Sequence, residues 1–96
     1  MRFTWDPKKY ERVEVSHRIQ FDKIKDVFLD PYAFEYTDEE HSSDTEVRFG
    51  IVGFTGEYGL VHLIFTEPEE GVIHFVTARK AENWITKLYD KERSRI

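Results

Sequence analysis

The sequence predicts an α+β domain: a four-stranded antiparallel sheet carrying two N-terminal helices and a C-terminal helix. Three observations support this. Alternating apolar and polar residues, rich in β-branched and aromatic types, recur between Tyr32 and Ala78. Helical spacing of apolar residues is confined to the two ends of the chain. The alternating stretches are joined mostly by short turns, which favours an antiparallel meander with helices on one face.

Phe3-Thr4-Trp5 reads as a short strand with Phe3 and Trp5 on one face. Asp6-Pro7 then starts a helix, with Asp at the N-cap and Pro at the first helical position, where its missing N–H costs nothing. That helix runs from Pro7 to about Ser16 with Tyr10 and Val13 inward. A second short helix carries Phe21, Ile24, Val27 and Phe28 at helical spacing, and Leu29-Asp30-Pro31 ends it, because the residue before proline is pushed out of the α region.

The four strands are expected at about Tyr32–Thr37, Val47–Val52, Leu60–Thr66 and Val72–Ala78. Thr55-Gly56-Glu57-Tyr58-Gly59 reads as a hairpin turn, and the nearly continuous apolar run from Leu60 suits a central strand. In the last strand strict alternation puts Val72, His74, Val76 and Ala78 on one side and Ile73, Phe75, Thr77 and Arg79 on the other. Ala81, Trp84, Ile85, Leu88 and Tyr89 then fall on one stripe of a helix, and the charged tail Asp90–Ile96 is expected to fray. The expected core is Phe21, Ile24, Phe28, Phe49, Ile51, Leu63, Phe65, Phe75, Trp84 and Leu88, each side chain contributing about 1.5–3 kcal/mol on burial.

Ninety-six residues, 16% aromatic and 34% charged, make one domain spanning residues 1–96. No apolar run approaches the ~20 residues of a membrane span, and the opening Met1-Arg2-Phe3-Thr4 does not read as a signal peptide, so a cytoplasmic protein is expected. Without cysteine there is no disulfide, thiolate site or Cys nucleophile. The net charge of −5 argues against indiscriminate nucleic-acid binding but is unevenly spread. Asp30 to Glu46 holds seven acids and no Lys or Arg, whereas Ala78 to the end holds six bases against three acids.

The switch from strand to helix period falls at Ala78-Arg79-Lys80-Ala81. It sets two cations beside free backbone N–H groups and the positive end of a helix dipole, a corner suited to a phosphate or carboxylate. Ordinary solvated surface charge is the other reading of those two residues. His17, His41, His62 and His74 lack metal-ligand spacing, so neither a metal nor a cofactor is expected. His62 and His74 lie on adjacent expected strands, where paired histidines more often serve packing than catalysis. Trp84 and Tyr89 suit base stacking or, at helical spacing, core packing.

Several short motifs in fixed order give the chain a family resemblance. Phe3-Thr4-Trp5-Asp6-Pro7-Lys8-Lys9 looks like an opening F-x-W-D-P-x-K. His17 and Phe21 stand at a K-H-G-V-x-F segment, followed by Val27-Phe28-Leu29-Asp30-Pro31. Glu46, Arg48 and Gly53 match an E-x-R…G strand, Thr77-Ala78-Arg79-Lys80-Ala81 an S-A-R-K-A, and Tyr89 a terminal helix tyrosine. Together these resemble the BrnT family of ribonuclease toxins from bacterial type II toxin–antitoxin systems, which implies a RelE-like fold. The chain departs from the family pattern at Val13, Ser16, Arg18, His74 and Ile85; Ser16-His17-Arg18 stands where the family has Lys-His-Gly.

The resemblance implies a metal-independent endoribonuclease that cleaves RNA, inhibits translation and is neutralised by a ribbon-helix-helix antitoxin, as a hetero-oligomer with an antitoxin dimer. It implies Arg79, Arg48, His17 and Tyr89 as catalytic residues and Lys80 and His74 as substrate-binding residues. The departures keep a second reading open: a BrnT-like domain with weakened catalysis that acts as a protein-binding module.

Overall fold

The computed structural model describes residues 1–94. Its elements are β1 (Arg2–Trp5), α1 (Pro7–His17), two 3₁₀ turns (Phe21–Lys23 and Lys25–Leu29), β2 (Phe34–Asp38), β3 (Arg48–Thr55), β4 (Gly59–Glu69), β5 (Val72–Lys80) and α2 (Asn83–Ser94). Among the described residues no helix is long and apolar enough to cross a membrane.

The sheet has five strands in the order β1-β5-β4-β3-β2. The expected four-stranded meander forms its antiparallel part. The correction is β1, which pairs in parallel with the outer edge of β5, Arg2 opposite Val72 and Trp5 opposite Phe75, making the sheet mixed. Four residues carry enough alternation to read as a strand but nothing that names a partner so distant in sequence.

One face of the sheet holds the main core. Ile51, Val61, Leu63, Phe65, Ile73, Phe75 and Ala78 pack there against Val13 of α1 and against Ile19, Phe21, Ile24 and Val27. The Phe75 ring lies 5.4 Å from Phe21, 5.5 Å from Phe3 and 5.9 Å from Trp5. As expected, Asp6 caps α1, accepting from the Lys8 N–H at 2.9 Å, with Pro7 in the first turn. Phe28 and Phe49, expected in the core, are only partly buried against it.

The second expected helix is instead a pair of 3₁₀ turns broken at Ile24. Phe21, Ile24 and Val27 are spaced by three, so the tighter helix, which eclipses every third side chain, buries all three. Two carboxylates of this segment hold the end of β3: Asp30 Oδ2 accepts from Phe54 N–H at 2.8 Å, and Asp26 Oδ2 from Gly56 N–H at 2.9 Å.

Helices cover both faces rather than one. On the face opposite the main core, Ile85 and Tyr89 of α2 pack with Val52, Phe34, Leu60 and Ala81. The helix begins two residues later than the expected Ala81 and is rotated from the expected orientation, so that Trp84 is 60% and Leu88 45% exposed, not buried. Tyr89, 4% exposed, donates its hydroxyl to Asp30 Oδ2 at 2.7 Å and fixes that rotation. The tail expected to fray is helical as far as Ser94; Arg95 and Ile96, the rest of it, lie outside the described residues.

One irregularity decides which residues reach the uncovered part of this second face. Phe65 pairs with Phe75 but Ile64 with Thr77, so Val76 is an extra residue, a β-bulge. Strict alternation would leave Arg79 on the Phe75 side. Past the bulge the faces exchange: Ala78 joins the main core, and Arg79 stands opposite His62 on the open side.

Candidate active site

The uncovered part of the second face is a cleft of ≈ 480 Å³ between β2 and β5. Strand register builds its floor. Asp38 faces Arg48 across β2 and β3, Tyr36 faces Gly50, and His62 on β4 faces Arg79 on β5. Because β1 stops opposite Phe75, the outer side of Thr77–Arg79 has no strand partner. His17, the last residue of α1, forms part of the cleft wall together with these residues.

Tyr36 crosses a whole strand to reach its partner. Its ring lies over Gly50, where a Cβ would overlap the phenol ring, and its hydroxyl comes 2.5 Å from His62 Nε2 on the strand beyond. Mid-strand glycine often marks such a close approach. Burial, then the positive charge of Arg79, lowers the His62 pKa, partly offset by Asp38 and Glu82. Burial, then Asp38, raises that of Tyr36. Both shifts favour the neutral groups, a phenol against a neutral imidazole.

Each cleft arginine is held by a carboxylate. Arg48 Nε pairs with Glu46 Oε1 at 3.3 Å. Arg79 pairs with Glu82, whose other oxygen accepts from the Trp84 indole N–H at 3.0 Å. Such solvent-facing pairs are worth about 0–1 kcal/mol, so they orient the guanidinium groups without committing them. On the far wall Asp38 Oδ2 lies 3.0 Å from His41 Nδ1. A larger hollow of ≈ 700 Å³ elsewhere is lined by Glu46, Glu67, Glu69 and Glu70 with no Lys or Arg, a surface that repels phosphate.

Three of the residues expected at the site, Arg79, Arg48 and His17, thus meet around one cleft. Three do not line it. Tyr89 is buried under α2 on Asp30. His74 Nδ1 is 2.8 Å from Thr4 Oγ1, toward β1. Lys80 is exposed and pairs opposite Val61, a main-core residue, on the other face from Arg79. Tyr36, His62, Asp38 and Glu82 are additions. His62 carried a sequence signal: it is the one polar side chain within the apolar run Leu60–Phe65.

Comparison with known proteins agrees with this architecture. The family model for the ribonuclease toxin, BrnT, of type II toxin–antitoxin systems matches residues 5–83. The crystal structure of the Brucella abortus ribonuclease toxin, BrnT, superposes with a TM-score of 0.68 at 18% identity, covering 86% of this chain and 99% of that one. Comparison with curated proteins returns no match. The chain is therefore a toxin of the type II toxin–antitoxin class, whose members are paired with an antitoxin. It belongs to the BrnT family of ribonuclease toxins.

Proposed function

We propose that this toxin is an endoribonuclease that acts in the cytoplasm, cleaves RNA and thereby inhibits translation, and that its antitoxin is of the ribbon-helix-helix type. The observation that carries the nuclease reading is the convergence of Arg48 and Arg79, from strands flanking β4, on one cleft of the open face. Cleavage of RNA by its own 2′-hydroxyl needs positive charge on the non-bridging phosphate oxygens and a group that moves the 2′-proton. Two guanidinium forks supply the first, each able to engage two phosphate oxygens at once. His17 stands at the margin as a positioning or proton-transfer group.

The test is expression of the chain alone and together with the neighbouring reading frame. The proposal expects growth arrest and RNA fragments in the first case, relief and co-purification in the second. Asp38 and Glu40, carboxylates on the same cleft wall, favour the second reading of a docking module without nuclease activity. That reading wins if the chain alone neither cleaves RNA nor slows growth yet still binds its neighbour.

A further inference from the structure

We propose that Tyr36 is a catalytic residue of the ribonuclease, taking the proton of the attacking 2′-hydroxyl while its own passes to His62. The inference rests on the nuclease reading above and adds the proton path that the two arginines cannot supply, since guanidinium does not give up its charge in proteins.

Four features of the cleft carry it. The hydroxyl and the imidazole nitrogen lie 2.5 Å apart, a distance suited to direct proton transfer. Both residues line the cleft, Tyr36 exposed to it and His62 half-buried behind the hydrogen bond to the phenol. The absence of a side chain at Gly50 lets the ring span β3 without displacement. Arg79, paired opposite His62, and Arg48, two residues before Gly50 on β3, bring the cations that would hold a phosphate beside that oxygen.

The charged groups around the pair favour this direction of transfer. Arg79 on β5 disfavours a resting imidazolium, and Asp38 on β2 and Glu82 before α2 moderate that effect. Glu40, His41 and His17 complete the titratable groups of the cleft wall. His62 therefore rests neutral, able to accept, and the carboxylates steady it once charged.

The step balances as follows. The 2′-proton moves to the Tyr36 oxygen, the Tyr36 proton moves to His62 Nε2, and the 2′-oxygen forms a bond to phosphorus. The bond from phosphorus to the 5′-oxygen breaks, that oxygen takes a proton from water, and His62 returns its proton to solvent. The products are a 2′,3′-cyclic phosphate and a 5′-hydroxyl.

The experiment is cleavage of a defined RNA by the purified full chain across pH, with product ends read by mass spectrometry and folding by circular dichroism. Tyr36→Phe and His62→Gln are each expected to lose about 10²–10⁴-fold in rate while remaining folded. Wild type should lose rate as pH falls through a value below 6.5, the pKa of an unperturbed imidazole, and His62→Gln should lack that limb, which a merely structural role would leave in place. Active wild type with Tyr36→Phe and His62→Gln equally active and unchanged in pH profile overturns the relay alone. A wild type that cleaves no RNA overturns the nuclease reading, and the relay with it.

Discussion

The hydroxyl of Tyr89 donates to Asp30 Oδ2 at 2.7 Å and ties the last helix to the segment leading into β2. The same oxygen accepts from Phe54 N–H, and Tyr32 N–H donates to the other oxygen at 2.9 Å. Burial pushes the Asp30 carboxyl up, but these hydrogen bonds, with Arg93, hold it below its ordinary value. Burial and the same contact raise the Tyr89 phenol to about 12. Tyr89→Phe should therefore cost about 1.5–3 kcal/mol of stability, as for a hydrogen bond to a charged group, with cleavage per folded molecule retained. Urea titration beside single-turnover cleavage checks both halves.

Arg79→Ala should lower cleavage about 10²–10³-fold, the usual loss for one preorganised charge contact to a developing oxyanion. Its ion pair with Glu82 is half exposed, so the melting temperature should stay nearly constant. Arg79→Lys should rescue only part, since an ammonium cannot engage two oxygens as a fork. Arg48→Ala should be intermediate, and Lys87→Ala, on the exposed side of α2, silent.

Stability should fall toward acid because of His62. Its folded pKa lies below 6.5 through burial and Arg79. As pH drops from 6.5 toward that lower value, the unfolded chain takes up a proton that the folded chain refuses. Urea midpoints should therefore decline as pH falls below about 6.5, and His62→Gln should flatten that decline.

The rotation of α2 predicts a sharp contrast between adjacent residues. Ile85→Ala empties a buried position and should cost about 2–5 kcal/mol. Trp84→Ala removes a larger side chain that is mostly in solvent and should change stability by about 0.5 kcal/mol or less. Equilibrium unfolding of the two variants decides it, and equal losses would mean a different helix orientation.

Arg18 caps α1 in the left-handed conformation, with φ 55° and ψ 40°, a region of backbone space that favours glycine. An L side chain there costs roughly 1–2 kcal/mol, against about 0.5–1 kcal/mol for glycine's greater freedom in the unfolded chain. Arg18→Gly should raise stability by about 0.5–1 kcal/mol, read as a higher urea midpoint.

Much of this architecture was legible because it is local. The Asp6-Pro7 helix start, the hairpin before Gly59 and the alternation of the four antiparallel strands all depend on near neighbours in sequence. What escaped was set by distant ones. Strict alternation sends Arg79 into the core, and only the Val76 bulge, formed against β4, turns it to the open face. A five-residue apolar stripe from Ala81 to Tyr89 does not say which part of it the sheet can cover; the contact with Asp30, 59 residues from Tyr89 in sequence, makes that choice. Tyr36 and His62 meet only because Gly50 lies between them on β3, a coincidence of register invisible before the strands are paired.

The parallel edge strand gives the molecule a timetable. Thr4 and His74 stand 70 residues apart in sequence, and every pairing of β1 spans a similar distance. A chain leaving the ribosome at about 5–20 residues per second makes β1 on the order of 3–14 s before its partner. Closing so long a loop also costs entropy before the contacts repay it. Phe3 and Trp5 thus wait through most of synthesis for Phe75, the ring they both pack on, and the finished sheet is gated by translation of its own fifth strand.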